Sequence, residues 1–206
     1  MNGHPGKLET TADAEARESR LAAILAGLGN VAVAYSGGTD SAYLLAVCLE
    51  VLGSEAVLAL TADSPLMPRA ELAEARDLAA RLGARHRVLP HDELGQEAIA
   101  ANPPDRCYHC KRARFALLWQ VARAEGMAHL VHGENADDNH DYRPGSRAAA
   151  ELAVRAPLRE AGLSKAEIRT LSRQRLLPTW DRPADACLAT RFPYGSRLTA
   201  ERLARV

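Results

Sequence analysis

A glycine pair flanked by hydroxyls, a set of cysteines and a run of acidic and amide side chains are the residues whose types and spacing could do chemistry in this 206-residue chain. The first group is Ser36-Gly37-Gly38-Thr39-Asp40-Ser41, which follows the short apolar run Val31–Tyr35. Gly37 and Gly38 are expected to take positive φ and to let phosphate approach the backbone. Ser36, Thr39 and Ser41 add hydroxyl donors, and a helix beginning near Asp40 would aim unpaired N–H groups and a positive dipole end at the same point. The chemistry implied is polyphosphate binding. No Lys follows the glycines, so this is not a Walker loop, and the spacing is not Gly-x-Gly-x-x-Gly, so a dinucleotide site is not supported. The plain alternative is a glycine-rich turn capped by Asp40.

Cys107-Tyr-His-Cys110 opens a helical stretch after the breaker Asn102-Pro-Pro-Asp105, and Cys187 lies far along the chain. A Cys-x-x-Cys pair suits a redox couple, half a zinc site or part of an iron–sulfur site. His109 or His132 could complete a zinc set, whereas three thiolates without a fourth suit a 4Fe-4S cluster with one iron left open. The alternative is incidental buried cysteines, which is the expectation for Cys48 on the helix after the glycine loop. Glu134, Asn135, Asp137, Asp138 and Asp141 crowd the end of a strand. Asp137 and Asp138 are candidate Mg²⁺ or ATP contacts, against the alternative that they only turn the chain. Arg143 and Arg191 could hold phosphate or carboxylate in a bidentate fork. Tyr142 and Tyr194 are residues that more often pack than react. Ala62-Asp-Ser-Pro65 follows a second strand, where an α/β nucleotide fold holds adenine.

These groups need elements to position them. Apolar periodicity predicts helices over 12–26, 40–52, 69–82 and 108–125, and strands over 31–35, 56–61, 87–89 and 129–132. Gly53, Gly83 and Gly126 end three of the helices. Ser164 and Glu167 read as a capping box opening a helix to about Arg175. Alternation of strand and helix argues an α/β class: a doubly wound parallel sheet with right-handed crossovers and ligands beyond the carboxyl ends of the strands. Residues 1–20 are expected to be a disordered N-terminus and helix start, 21–178 a phosphate-binding α/β domain, and 179–206 a separate segment that carries Cys187.

Basic and acidic residues balance at 26 each, so broad attraction to nucleic acid is not indicated. The sequence has no long apolar run and no charged-then-apolar leader, so the expected compartment is the cytoplasm and no membrane partner is expected. Four cysteines in such a chain point to metal binding or catalysis before disulfides.

Ser-Gly-Gly-x-Asp-Ser after a strand resembles the PP-loop ATP pyrophosphatases, which cleave ATP between the α and β phosphates and transfer AMP to an acceptor oxygen. The resemblance narrows at Gly133-Glu-Asn-Ala-Asp-Asp-Asn-His-Asp-Tyr-Arg-Pro-Gly145 and at Trp180-Asp-Arg-Pro-Ala-Asp-Ala-Cys-Leu-Ala-Thr-Arg-Phe-Pro-Tyr-Gly195. From about Leu21 onward the chain is similar to the LarE family of ATP-dependent sacrificial sulfur transferases. That resemblance implies adenylation of a carboxylate of pyridinium-3,5-biscarboxylate mononucleotide and its conversion to a thiocarboxylate, a step toward the nickel-pincer nucleotide. It implies ATP and Mg²⁺ as cofactors, ATP contacts from Ser36 to Ser41 and from Ala62, and catalytic roles for Cys187, Asp40 and Arg191. Arg143, Arg191 and Tyr194 match substrate contacts. In one family mechanism Cys187 would surrender its own sulfur and become dehydroalanine. In the other, Cys107, Cys110 and Cys187 would hold a 4Fe-4S cluster whose open iron binds the sulfide delivered. The Cys-x-x-Cys pair favours the second. The partners implied are a small nucleotide substrate, sulfide or a sulfur donor, and further copies of the chain in a homo-oligomer. The chain departs from the family pattern at Arg182, usually Lys, and at Leu176, usually a Gly ending the preceding helix, and family members run on past Val206. Rival readings are another PP-loop enzyme, such as a tRNA thiolase or an ammonia-using synthetase, and a non-catalytic nucleotide sensor.

Overall fold

A computed structural model describes residues 11–140, 144–183 and 187–206. The first ten residues, and with them most of the expected disordered stretch, lie outside the described residues, as do Asp141, Tyr142 and Arg143. Helix α1 spans Thr11–Leu28, followed by β1 (Val31–Ala34), α2 (Thr39–Leu52), β2 (Val57–Asp63), α3 (Arg69–Arg81) and β3 (Arg85–Pro90). Then come α4 (Glu97–Ala100), α5 (Arg106–Ala124), β4 (His129–His132), α6 (Pro144–Glu151), α7 (Pro157–Ala161), α8 (Lys165–Gln174) and α9 (Ala200–Leu203).

The strands form one parallel sheet in the order β3-β2-β1-β4. Strands β1 to β3 are laid down in one direction and β4 pairs on the other side of β1, so the order reverses between β1 and β4. A crevice opens at such a reversal, beyond the carboxyl ends of the strands. The doubly wound parallel class read from the sequence is therefore the fold.

Strand residues alternate between two apolar layers, as a pleat of period two requires. Val31, Val33, Val57 and Ala59 face the layer that holds Leu21 and Leu25 of α1, Leu44 and Cys48 of α2, and Leu78 of α3. Ala32, Leu58, Leu60 and Leu130 face Phe115, Leu118 and Ala122 of α5. The edge strand β3 is different. Its Arg85 and Arg87 reach Glu125, a charged rim that discourages further strand pairing. A third, smaller cluster joins Leu66, Ile99 and Cys110 to Ala189, Leu198 and Leu203, packing the C-terminal segment against α4 and the start of α5. Strand β2 runs two residues beyond the expected Thr61, so Ala62 lies within it. The capping box on α8 is present in full, with the Glu167 backbone N–H bonded to the Ser164 side chain and the Ser164 N–H to the Glu167 carboxylate.

Candidate functional site

A cavity of about 590 Å³ opens beyond the carboxyl ends of β1, β2 and β4. Ser36 and Gly38–Ser41 form one wall, Thr61 and Ala62 another, and Cys187 reaches it from the C-terminal segment. Between them lie Lys111 and Arg114 of α5, Lys165 of α8, Arg182, and Asp137 and Asp138. Four cations thus face a space beside the loop, which suits a polyanionic ligand.

The loop is shaped by its own residues. Ser41 Oγ lies 3.1 Å from Ser36 Oγ, accepts from the Ser36 N–H at 3.2 Å and lies 3.1 Å from the Gly38 carbonyl. Gly37 has φ of 80°, and a Cβ built there would fall 2.7 Å from the Ala75 Cβ on α3. Glycine is required at Gly37 on both counts. Gly38 differs from expectation: at φ −73° and ψ 166° it is extended, at the N-terminus of α2. A Cβ there would meet only the Ser36 hydroxyl, at 3.5 Å, so any sidechain-free requirement at Gly38 comes from a ligand and not from the backbone. Thr39 does not present its hydroxyl as a free donor; it donates to the Thr179 carbonyl at 2.7 Å, tying the loop to the segment that leads to Cys187. Gly133 admits a close approach the sequence reading passed over. A Cβ on it would sit 2.9 Å from the Ser41 nitrogen, so the end of β4 can lie against the start of α2 only without a side chain.

Asp40 binds Lys165 Nζ at 2.7 Å and accepts from Asn135 Nδ2 at 3.3 Å. Burial raises its pKa above the usual carboxylate range, against the opposing pull of Lys165 and Asn135, and the Asp138 charge adds to the rise. Asp137 and Asp138 shape the turn after β4: Asp138 accepts from the Asn135 N–H and Asp137 from the Lys165 N–H. Their carboxylates face the cavity but are engaged in this turn, the alternative weighed from sequence. His132 is buried with its Nε2 unpaired. Burial, with the charges of Lys111 and Arg159, pushes its pKa down to about 3, so its 3.6 Å approach to Glu134 is not an ion pair.

The three expected sulfurs are brought to one corner. Cys107 and Cys110 sit three apart on the first turns of α5, on one face. Arg106, almost fully buried, places Nη2 3.8 Å from Cys107 Sγ and 3.9 Å from Cys187 Sγ. Cys110 donates to the buried Glu93 carboxylate at 3.0 Å, and Arg114 reaches both Glu93, at 2.7 Å, and Cys110 Sγ, at 3.5 Å. Burial pushes the Cys110 thiol up to about 12. Among the described residues no three His, Cys, Asp or Glu side chains converge closely enough to hold a metal ion. The donor set nonetheless fits a thiolate-ligated cluster in kind: three thiols share a corner with two guanidinium groups that would offset its negative charge. Cys48, by contrast, is fully buried in the first apolar layer, its thiol also pushed up to about 12 by burial. His109, considered as a zinc ligand, is turned toward Asp105. Arg191 is bonded to the Val206 carbonyl, Tyr194 is largely exposed, and neither lines the cavity.

Sequence reasoning missed Lys111, Arg114, Lys165, Glu93 and Arg106. A lone cation or acid carries no signal in sequence until the fold aims it. Only the helix period running from Cys107 through Cys110 to Lys111 and Arg114 pointed their way.

The fold and the loop define a class: α/β proteins with a glycine-rich loop at the sheet's reversal point. Residues 22–138 match the family model described as NAD synthase. Two solved structures share the fold: an NH3-dependent NAD synthetase from Campylobacter jejuni (TM-score 0.63, 18% identity, 86% of this chain and 80% of that one) and an NMN synthetase from Francisella tularensis (TM-score 0.66, 16% identity, 84% and 75%). Among curated relatives, an uncharacterised protein of Synechocystis is 41% identical over 93% of this chain and 71% of its own. The pyridinium-3,5-bisthiocarboxylic acid mononucleotide synthase of Lactiplantibacillus plantarum is 36% identical over 92% of this chain and 69% of its own. The chain belongs to the LarE family, within the wider group covered by the NAD synthase model. Among the described residues no helix is long and apolar enough to cross a membrane.

Proposed function

We propose that the chain is an ATP-dependent sulfur transferase that adenylates a carboxylate of a pyridinium-3,5-biscarboxylate mononucleotide and converts it to a thiocarboxylate. One observation carries the reading: the phosphate loop and the Cys187 sulfur line the same cavity, so a nucleotide on the loop and a nucleophile on Cys187 can share one substrate. The name of the L. plantarum relative supplies the substrate class.

In this reading Ser36–Ser41 and the start of α2 hold the β and γ phosphates, with adenine near Ala62. Asp40, Asp137 and Asp138 are the carboxylates that would hold Mg²⁺, which would screen charge between ATP and the acidic substrate. A substrate carboxylate oxygen attacks the α phosphorus and pyrophosphate leaves. Lys111, Arg114 and Arg182 balance the crowded negative charge. Arg191, Arg143 and Tyr194 are assigned to substrate by the family motif.

The sulfur step has two forms. In the first, the Cys187 thiolate attacks the acyl carbon and expels AMP, forming a thioester. Loss of the Cys187 Cα proton then breaks its Cβ–S bond, leaving thiocarboxylate and dehydroalanine. In favour of this form, Cys187 lines the cavity and Cys107 and Cys110 do not. In the second, Cys107, Cys110 and Cys187 would hold a 4Fe-4S cluster, which would present sulfide supplied from outside as the nucleophile, so that the protein is not consumed. The shared corner and its two guanidinium groups favour this form.

Pyrophosphate release that depends on the dicarboxylate mononucleotide tests the first half. Release with no dependence on it would overturn the substrate assignment. Intact mass spectrometry after anaerobic turnover tests the second half. Loss of H₂S at Cys187 in iron-free, active protein selects the sacrificial form, and repeated turnover with iron bound and mass unchanged selects the cluster.

A further inference from the structure

The segment that carries Cys187 is held in place by Arg106 of the sulfur corner together with Asn102, a residue that no site described above includes. Asn102 is fully buried and has φ of 54°, left-handed backbone that asparagine tolerates better than most side chains but still at a strain. Strained, buried polar residues in a fold persist when the surroundings fix them, and they gather at working sites. Here the surroundings are the C-terminal segment. Asn102 Nδ2 donates to the Pro193 carbonyl at 2.9 Å and to the Phe192 carbonyl at 3.5 Å, and the Asn102 carbonyl accepts from the Gly195 N–H at 2.8 Å. Its Oδ1 accepts from Arg106 Nη1. The same Arg106 nitrogen donates to the Ala189 carbonyl at 3.1 Å, while Nη2 touches Cys107 Sγ and Cys187 Sγ.

We propose that Asn102 and Arg106 form a clasp whose work is to position the Cys187 sulfur beside Cys107 at the cavity. Arg106 is fixed at one end by Asn102 and Ala189, so the nitrogen it offers to the two sulfurs is fixed too. Its guanidinium is almost fully buried, and no carboxylate oxygen lies among its contacts in the described residues; two sulfurs do. A buried guanidinium needs polar partners around it, and here Asn102, the Ala189 carbonyl and the two sulfurs are those partners. Asn102 and Arg106 are positioning residues: neither lines the cavity, and each acts through Cys187. The role as positioners of the sulfur source rests on the sulfur-transfer reading; the geometry of the clasp does not.

The test follows the proximity of the two sulfurs in the reduced, metal-free chain, without turnover. Dibromobimane, a short bifunctional thiol alkylator, is added, and the Cys107–Cys187 cross-link is timed by peptide mass spectrometry, with fragment ions separating Cys107 from Cys110. Asn102→Gly is the informative variant, because glycine takes φ of 54° without strain and only the clasp's amide is lost. Asn102→Gly and Arg106→Gln are each expected to slow the cross-link about tenfold, since small misplacements of reacting groups cost large factors in rate. Arg106→Lys keeps the charge and loses the fork, and should behave like Arg106→Gln. Leu203→Ala, which loosens the same packing cluster without touching the clasp, should stay close to wild type. Equal rates in wild type and Asn102→Gly would overturn the clasp, and so would a Leu203→Ala rate as slow as the clasp variants. If Arg106→Gln fails to fold, Asn102→Gly decides alone. Pyrophosphate release by wild type is read in parallel: its absence would remove the sulfur-transfer reading and leave the cross-link result standing.

Discussion

The phosphate loop and the sulfur corner are built by opposite means. The loop's turn is drawn mainly by its own residues: Ser36, Gly38 and Ser41 bond to one another within six positions, while Ala75, Thr179 and Arg182, and Asn135 and Lys165 through Asp40, touch it from afar. The corner is assembled over distance, with Cys187 reaching Arg106 from 81 positions away and Cys110 reaching Glu93 from 17. A self-shaped site survives as long as its own backbone can be adopted. An assembled one depends on every element that carries a piece of it. The two regions should therefore fail separately, and substitutions can be chosen to hit either one.

The largest effect is expected at Gly37. Gly37→Ala forces a left-handed backbone on a residue with a Cβ and drives that Cβ into Ala75. It should cost about 3 kcal/mol of stability and abolish pyrophosphate release. Gly38→Ala, one position on, should unfold within about 0.5 kcal/mol of wild type, because its backbone is extended and its surroundings open. Denaturant titration of the pair checks this. Equal destabilisation would mean that the loop is not held where Gly37 and Ala75 place it.

Asp40 separates function from stability within the loop. Burial raises its pKa, so the folded chain takes up a proton more readily than the unfolded one. Stability is accordingly lost as pH rises from the unfolded carboxyl value of about 3.9 toward the folded one. Asp40→Asn removes that loss. It should abolish pyrophosphate release while leaving the fold as stable as wild type, or more so, at neutral pH, with the gain vanishing below about pH 4. Melting curves across pH measure it. A variant less stable at pH 7 than at pH 4, relative to wild type, would show that the ion pair with Lys165 outweighs the burial of Asp40.

The same contrast explains what could be read without coordinates. The loop's strand, turn and helix are contiguous, so their residue types and spacing carried the reading, and the alternating apolar strands carried the sheet. At Gly38 the reading went too far, since a glycine's tolerance of positive φ does not say that it uses it. In the corner, cysteines announce themselves by type, but their holders do not. Asn102 reads in the sequence only as part of a breaker before two prolines, and nothing local marks Glu93 or Arg114. What makes them part of a site is contact with residues 17 to 91 positions away, which no local pattern encodes. The cavity's cations, Lys111 and Lys165, were hidden for the same reason.

Two buried cysteines sharpen the corner's definition at moderate cost. Cys48 and Cys110 both have thiols pushed up to about 12 by burial, yet only Cys110 has polar partners. Cys48→Ala should lower stability by about 1 kcal/mol through lost packing and leave iron binding and sulfur transfer intact. Cys110→Ala should reduce iron retained after anaerobic reconstitution and leave pyrophosphate release unaffected. Iron assay on both variants distinguishes them. Loss of iron from Cys48→Ala with the fold retained would overturn the proposed set of three ligands.

The smallest effect lies in the helix that links the two regions. Helix α8 brings Lys165 to Asp40 at its start, and its end leads to Thr179, which takes the Thr39 hydroxyl. It stops at Leu176, whose φ is 55° and whose side chain is 88% exposed. The Leu177 N–H bonds back to the Ser172 carbonyl and the Leu176 N–H to that of Arg173, both at 3.0 Å, the paired bonds of a Schellman ending. That geometry is the reason a glycine suits the position. A left-handed leucine costs roughly 1–2 kcal/mol, and its exposed side chain recovers little of this by burial. Glycine removes the strain but restores freedom to the unfolded chain, at about 0.5–1 kcal/mol. Leu176→Gly should therefore stabilise the protein by about 0.5–1 kcal/mol, with pyrophosphate release and the Cys107–Cys187 cross-link both unchanged. Denaturant midpoints read the gain. A change in either functional readout would show that the end of α8 transmits strain to the loop or to the sulfurs, and that the two regions are not independent.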